Sequence, residues 1–210
     1  MNQNTIAIQS SHPTPASIRN TRTMTSVALL TAVSFALAFF QFSVPLSPSF
    51  AKMDLSDFPA LIGAMTLGPW AGVAVELIKN LLGLLTTSTG GVGELANFLM
   101  GGTFSFVAGA IYYKGKGNAW LACLLGSLAM AIMAALTNYF ILLPLFENFM
   151  PLDALIASFA ASMPFINSKL DVVLLNAIPF NLLKGLGISL VTLFLYRRLT
   201  PILRGLGHSR

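Results

Sequence analysis

The sequence has few charged residues, and it lacks the residue types that most enzymatic sites require. Only 9% of its 210 residues are charged, whereas a soluble domain carries about 25%. The single cysteine, Cys123, lies in an apolar run, which excludes a disulfide framework and a cysteine-based metal site. The histidines, His12 and His208, lie in the two tails, which excludes a Ser/His pair or clustered zinc ligands in the apolar part. We therefore expect a protein that is not an enzyme.

Nucleotide-binding motifs are also missing. The sequence contains no G-x-x-x-x-G-K-[ST] phosphate loop, so the chain is not expected to hydrolyse ATP by that route. Gly91, Gly93 and Ala96 match a loose dinucleotide fingerprint, but they follow Thr-Ser-Thr rather than a strand and have no βαβ context. We interpret this segment as a flexible loop that delivers Glu94 to a helix N-terminus, where the helix dipole favours a carboxylate.

The composition is that of an integral membrane domain, with 55% hydrophobic residues and a mean hydropathy of +0.77. Gly68-Pro69 separates two helices, because proline suits a helix start and disfavours helix in the residue before it. Residues 145–171 form a less hydrophobic connection with a short helix around 152–162. The predicted spans are 24–42, 57–68, 69–87, 94–113, 118–144 and 172–198.

The positions of the basic residues test the predicted number of spans, because Lys and Arg are enriched on the cytoplasmic side of a membrane protein. With six helices, both termini and the loops after the second and fourth helices share one side, which carries eight of the twelve basic residues and none of the seven acids. These basic residues are Arg19, Arg22, Lys114, Lys116, Arg197, Arg198, Arg204 and Arg210. The sequence therefore predicts an all-α integral membrane protein with six transmembrane helices and both termini cytoplasmic.

The domain organisation follows from this topology. Residues 1–22 are polar and are predicted to be a disordered cytoplasmic tail, residues 23–200 a six-helix membrane domain, and residues 201–210 a basic cytoplasmic tail. A signal peptide ending near Ser49-Phe50-Ala51 is an alternative. Its apolar stretch of about 18 residues exceeds the usual 7–15-residue core, and cleavage would place the termini on opposite sides.

Three pairs of polar residues interrupt the apolar stretches at i, i+3 spacing, so that both members share one helix face. A charge at the bilayer centre costs about 2.5–3.5 kcal/mol, and such residues usually face a bundle interior or a cavity. The pairs either line a ligand site or satisfy each other as internal salt bridges, and we favour the ligand site. They are Glu76 with Lys79, Glu94 with Asn97, and Asn181 with Lys184.

Other candidate residues extend this site. In the loop FAKMDLSDFPAL, Lys52 and Asp54 are candidate ligand contacts, whereas Asp57 or Ser56 is expected to cap the next helix. The amide of Asn138, like that of Asn181, pairs donors with an acceptor and suits the amide or imide edge of a heterocycle. This inward-facing set contains no intramembrane arginine, so a phosphate would be poorly matched. An uncharged ligand with an aromatic body and hydroxyl groups fits this set best.

At these residues the sequence resembles the riboflavin-specific substrate-binding subunits (S components) of energy-coupling factor (ECF) vitamin transporters. The similarity covers roughly residues 24–200. It runs through Lys52-x-Asp54-x-Ser56-Asp57-x-Pro59-Ala60, Gly68-Pro69-x-Ala71-Gly72, Glu76-x-x-Lys79-Asn80, Gly93-Glu94-x-x-Asn97-Phe98, Asn138-Tyr139 and Pro179-Phe180-Asn181-x-x-Lys184-Gly185.

The resemblance implies a multi-pass protein of a prokaryotic cell membrane that captures riboflavin from outside for ATP-driven uptake. It implies that Asn138, Asn181 and Lys184 hold the flavin ring, and that the region of Lys52, Asp54 and Glu94 meets the ribityl chain. Asn97 is a further predicted substrate-binding residue. No cofactor is expected in this chain and no nucleic acid among its partners. ATP and magnesium would be used by two ATPase subunits, which act with a separate transmembrane coupling subunit.

Small residues are the candidates for contact with that coupling subunit. Ala28, Ala32 and Ala36 recur every fourth residue on the first helix and would let another helix approach closely, and Gly68 with Gly72 forms a second such pair. Packing within the bundle is the alternative for both. A rival function is a self-sufficient, ion-coupled secondary transporter of a small heterocyclic vitamin, with Glu76, Lys79 and Glu94 as its relay, although no inverted repeat is visible.

Overall fold

A computed structural model describes residues 21–43, 52–87, 89–114 and 117–207 of the chain. The described residues are mostly helical, with one two-stranded hairpin. The α-helices are α1 Thr21–Leu37, α2 Asp57–Thr66, α3 Pro69–Gly83, α4 Val92–Lys114, α5 Ala119–Thr137, α6 Leu143–Phe146, α7 Leu152–Ala160, α8 Lys169–Asp171 and α9 Ile178–Gly207. A 3₁₀ turn, Leu84–Thr86, follows α3. A first π turn, Asn138–Leu142, joins α5 to α6, and a second π turn, Val172–Ala177, joins α8 to α9. The strands are β1 Phe42–Ser43 and β2 Lys52–Met53.

Each predicted helix overlaps an observed one, with differences at the ends. The first ends at Leu37 rather than at 42, and the short helix predicted around 152–162 is Leu152–Ala160. At the termini, Thr21 and Arg22 already belong to α1, and α9 continues to Gly207. The rest of the predicted tails, 1–20 and 208–210, and the proposed cleavage site at 49–51 lie outside the described residues.

The centre of the bundle is α2. Every residue of α2 except Phe58 is buried, because α1, α3, α4 and α9 all pack against it. This position brings the start of α2, with its acidic Asp57, into the interior. The Ser34 hydroxyl donates to the carbonyl oxygen of Ser56 and joins α1 to the same end of α2.

The turn between α2 and α3 depends on two glycines. Gly68 precedes Pro69 with a φ of 126°, which favours glycine. At Gly72 a Cβ atom would lie 2.6 Å from the Ala64 Cβ and 2.8 Å from the Ala60 carbonyl oxygen. The prediction that Gly72 belongs to a partner-facing pair is therefore wrong, because Gly72 lets α3 approach α2 inside the bundle.

The surface of the bundle is apolar, as in a membrane protein. Helix α1 buries Thr23, Ser26, Thr31 and Ser34 and exposes aliphatic residues such as Leu29. Within the described residues, three helical segments are long and apolar enough to cross a membrane, and the shorter α1 is also apolar; the long segments are Val92–Lys114, Ala119–Phe146 and Lys169–Tyr196.

Candidate ligand-binding site

A cavity of about 470 Å³ opens among the hairpin, α4, α9 and the two π turns, a size typical of small-molecule sites. Six of the seven predicted substrate-binding residues line it: Asp54, Glu94, Asn97, Asn138, Asn181 and Lys184. For the seventh, Lys52, the structure describes only the backbone, which forms β2. Residues far apart in sequence thus meet around one space.

The hairpin contributes one edge of the cavity. Phe42 pairs with Met53 in antiparallel register, so Gln41 and Asp54, the next residues outward, lie at the same end of the hairpin. Both line the cavity. Asp54 is 4% exposed, and its Oδ1 accepts hydrogen bonds from the Ser56 backbone N–H at 2.9 Å and from the Ser56 hydroxyl at 2.6 Å.

The glycine-rich loop before α4 holds Glu94 in the cavity wall. Its Oε2 accepts hydrogen bonds from the hydroxyls of Thr87 at 2.8 Å and Thr89 at 3.3 Å. These hydroxyls in turn accept from backbone N–H groups, that of Gly91 at 3.0 Å for Thr87 and that of Gly93 at 2.9 Å for Thr89. The loop therefore places a carboxylate in the first turn of α4, in agreement with our interpretation of the false dinucleotide fingerprint.

Two asparagine amides are oriented by the helices that carry them. Asn138 donates through Nδ2 to the Ala134 carbonyl at 2.8 Å, and Asn181 donates through Nδ2 to the Ala177 carbonyl at 2.9 Å. A carbonyl oxygen only accepts, so the amide nitrogen must point toward it. Each side chain keeps its Oδ1 and a second N–H for other partners.

Among the described lining residues the cation is Lys184, which lies near three polar side chains. Its Nζ lies 2.9 Å from Asp57 Oδ2, 3.1 Å from Asn97 Oδ1 and 3.8 Å from Asp54 Oδ1. The bond to Asn97 joins two of the predicted polar pairs across α4 and α9. Lys184 is only 4% exposed, so its charge depends on these partners.

Behind the cavity wall the ionic contacts continue. Lys79 Nζ lies 2.7 Å from Asp57 Oδ1 and 2.7 Å from Glu76 Oε2, and it donates to the Ser56 hydroxyl at 3.1 Å. Asp57 and Glu76 are 0% exposed and Lys79 is 2% exposed. We call Glu76, Lys79, Asp57 and Lys184 the buried ion chain.

The buried ion chain corrects two expectations. Glu76 and Lys79 satisfy each other as an internal ion pair, and neither lines the cavity. Asp57 does not cap α2: the N-cap residue is Ser56, which makes no side-chain capping bond, whereas the Asp57 carboxylate bridges two lysines. No local spacing signals this pairing, because Lys79 and Lys184 come from α3 and α9.

Several lining residues were missed by sequence reasoning. Asn176 lies in the second π turn, and Phe159 comes from α7 in the segment 145–171, which matches the family pattern poorly. Leu155 and Phe159 pack with Leu143 and Val173 in a small core that fixes α7 beside the two π turns. The only sequence signal was the polar Asn176 within an otherwise apolar stretch.

Among the described residues, no group of three or more His, Cys, Asp or Glu side chains could hold a metal ion. The arrangement suits recognition of an organic ligand instead. Carboxylate and amide groups lie on the side of the hairpin and α4. Amides and apolar walls lie on the side of the π turns, where Phe146, Phe159 and Phe180 supply aromatic surface.

The small-residue face of α1 lies away from this site. Ala28, Ala32 and Ala36 are all exposed on the outer surface of the described bundle. Packing of this face against other helices of the same chain is thereby excluded within the part that the structure describes.

Comparison with known proteins identifies the family. The model of the family "ECF transporter, substrate-specific component" matches residues 22–196. The riboflavin transporter RibU of Staphylococcus aureus (strain TCH60) is 35% identical over 190 residues, which are 89% of this chain and 95% of the relative. The riboflavin transporter FmnP of Bacillus subtilis (strain 168) is 34% identical over 181 residues, 83% of this chain and 90% of the relative.

A solved structure agrees with the sequence relatives. The S component of a bacterial ECF transporter superposes with a TM-score of 0.66 at 34% identity, covering 87% of this chain and 97% of that chain. The relatives are named as transporters, not as enzymes. This chain belongs to the family of substrate-specific components of ECF transporters.

Proposed function

We propose that this chain is a riboflavin-binding S component, which captures the vitamin for ATP-driven uptake by partner subunits. The observation that carries the proposal is the division of the cavity into a side of amides and aromatic walls and a side of carboxylates and amides. A flavin has the same two parts, a flat ring with a polar edge and a chain of hydroxyl groups. The names of the S. aureus and B. subtilis relatives support the same ligand.

Within this proposal the residues divide by chemistry. Asn138 and Asn181 face the polar edge of the ring with oriented amides, and Lys184 adds a donor. Glu94 and Asp54 supply acceptors for the hydroxyl groups of the ribityl chain, and a carboxylate accepts such bonds strongly. Asn97 lies on the same side, and Lys52 remains a predicted contact of the ribityl chain.

The membrane topology is also part of the proposal. We propose that α1, α2, α3, α4, α5–α6 and α8–α9 form six spans of a prokaryotic cell membrane, with both termini cytoplasmic. Helices α2 and α3 are short, but they are packed among other helices, where a short span needs less apolar length. The charge distribution along the sequence supports this orientation.

We further propose that the chain uses no cofactor of its own and works with a transmembrane coupling subunit and two ATPase subunits, which use ATP and magnesium. The exposed face of Ala28, Ala32 and Ala36 is the proposed docking surface, because small residues allow close helix approach. The rival ion-coupled mechanism loses support, since Glu76 and Lys79 pair with each other behind the cavity wall.

Flavin titration of the purified chain tests the ligand. We expect each chain to bind one riboflavin, with binding measured by the quenching of flavin fluorescence. Riboflavin should bind more tightly than thiamine or biotin. Asn181→Ala and Lys184→Ala should each weaken binding by about 1–3 kcal/mol, the usual cost of leaving a buried polar partner unsatisfied. Asn148→Ala is the control, because Asn148 is an exposed amide outside the cavity. A preference for thiamine or biotin would disprove the ligand assignment, and unchanged affinity in both site variants would move the site elsewhere.

A further inference from the structure

We infer that Asn176 is a further ligand-contacting residue, an amide that meets the ring of the bound flavin, and that the second π turn brings it into the cavity. The inference deepens the proposed function and rests on it. It starts from a polar side chain inside the apolar sequence VVLLNAIPF. Asn176 is 7% exposed and lines the cavity. Polar residues in spanning helices that face a cavity are candidates for function.

The π turn explains how Asn176 and Asn181 face the same space. Five residues along a regular α-helix correspond to a rotation of about 140° beyond one full turn, so the two side chains would point in different directions. Here the backbone N–H of Ile178 donates to the carbonyl of Val173, five residues earlier. Part of this wide turn lies between Asn176 and Asn181, and it reduces the rotation between them, because each residue of a π turn rotates the chain by less than a residue of an α-helix. Both asparagines line the cavity.

A second wide turn faces the first. The N–H of Leu143 donates to the Asn138 carbonyl, again five residues earlier, and the two π turns contact each other. Asn138 begins one turn and Asn176 lies within the other, so their amides come from neighbouring walls. π turns inside helices occur frequently at functional sites.

The surroundings place Asn176 on the ring side of the cavity. Val172 and Val173, in the same π turn, pack with Leu143 and Phe159, and Leu143 and Phe159 line the cavity. The carboxylates of Asp54 and Glu94 belong to the hairpin and α4 instead. An asparagine amide can both donate and accept hydrogen bonds. Beside apolar walls, that capacity suits the polar edge of an aromatic ring.

The test replaces the amide with an apolar side chain of similar size. Asn176→Leu should weaken riboflavin binding ~tenfold, the effect of losing one neutral hydrogen bond. At saturating riboflavin its visible absorption band should also shift relative to wild type, because the flavin spectrum responds to hydrogen bonds at the ring. Asn148→Leu, the exposed control outside the cavity, should change neither affinity nor spectrum. Thermal unfolding without ligand checks that each variant is folded, and Asn176→Ser replaces Asn176→Leu if the leucine variant does not fold.

Two results would overturn the inference. Unchanged affinity would mean that Asn176 does not contact the ligand. Weaker binding with an unaltered spectrum would mean that Asn176 contacts the ribityl chain of the ligand, or acts only through packing, and does not contact the ring. Failure of the wild-type protein to bind riboflavin would instead reject the proposed function, so the two failures are distinguishable.

Discussion

The buried ion chain offers a sharp test of the structure, through the substitution Lys79→Met. Methionine retains the length and apolar stem of lysine but removes its charge. In the wild type the ammonium group lies 2.7 Å from both Asp57 and Glu76 and donates to Ser56. The substitution leaves Asp57 with only Lys184 as a cationic partner, and it leaves Glu76 with none among the described residues.

The expected loss of stability in Lys79→Met follows from the burial of its two acidic partners. Removing one partner of a buried ion pair costs about 3–5 kcal/mol, because an uncompensated charge stays in the interior. Asp57 and Glu76 are both fully buried, so we expect the upper part of this range. In the double variant Lys79→Met, Glu76→Gln the uncompensated carboxylate is gone, and we expect recovery of roughly half of the lost stability, since Asp57 keeps Lys184.

The assay is thermal or denaturant unfolding of the purified protein in one detergent, without ligand. Lys169→Met is the matched control: its Nζ lies 3.9 Å from Glu147, and the two side chains are 27% and 41% exposed. Such a pair contributes less than about 1 kcal/mol. Equal destabilisation by Lys79→Met and Lys169→Met would refute the reasoning, as would a double variant less stable than Lys79→Met alone.

Two further predictions concern helix contacts. Ala32→Trp should leave riboflavin affinity near that of wild type, while uptake in cells and co-purification of the coupling subunit are lost. The control Val33→Trp, at an exposed position of the same helix, should retain uptake and co-purification. Normal uptake by Ala32→Trp would mean that the alanine face contacts lipid. Gly72→Val should destabilise the fold by about 1–3 kcal/mol, the usual cost of overpacking, because no space exists beside Ala64. Gly187→Ala, which meets nothing within 4 Å, is its control, and equal unfolding midpoints for the two variants would contradict the close approach of α3 to α2.

Sequence reasoning found the helices and most of the polar residues of the cavity for the same physical reason. Long apolar runs are a clear sequence signal of membrane helices. Placing a polar side chain inside the membrane costs free energy, so such residues are usually functional. Asn138 and Lys184 could therefore be selected without knowledge of the fold. The resemblance to S components then supplied the ligand, which composition alone does not specify.

What could not be predicted depends on contacts between distant segments. Asp57 looked like a helix cap because acidic residues are common at helix starts, but α2 lies in the centre of the bundle, where its carboxylate meets two lysines. Gly72 matched a small-residue motif, yet its packing partner belongs to the same chain. On a regular helix Asn176 would not share a face with Asn181. The π turn that changes this leaves no clear signature in a single sequence, so Asn176 could not be selected.

The bonding of Lys184 favours a neutral ligand. An ammonium group has three N–H donors; Asn97 accepts one of them at 3.1 Å, and Asp57 Oδ2 lies 2.9 Å away as the ionic partner. Asp54 stands at 3.8 Å, beyond a good hydrogen bond, so the ammonium group retains a donor for the ligand. Asp57 already balances the charge of Lys184, and an anionic ligand would have to compete with that carboxylate in a poorly solvated space. The site is therefore suited to an uncharged acceptor such as a ring carbonyl or nitrogen, and poorly suited to a phosphate.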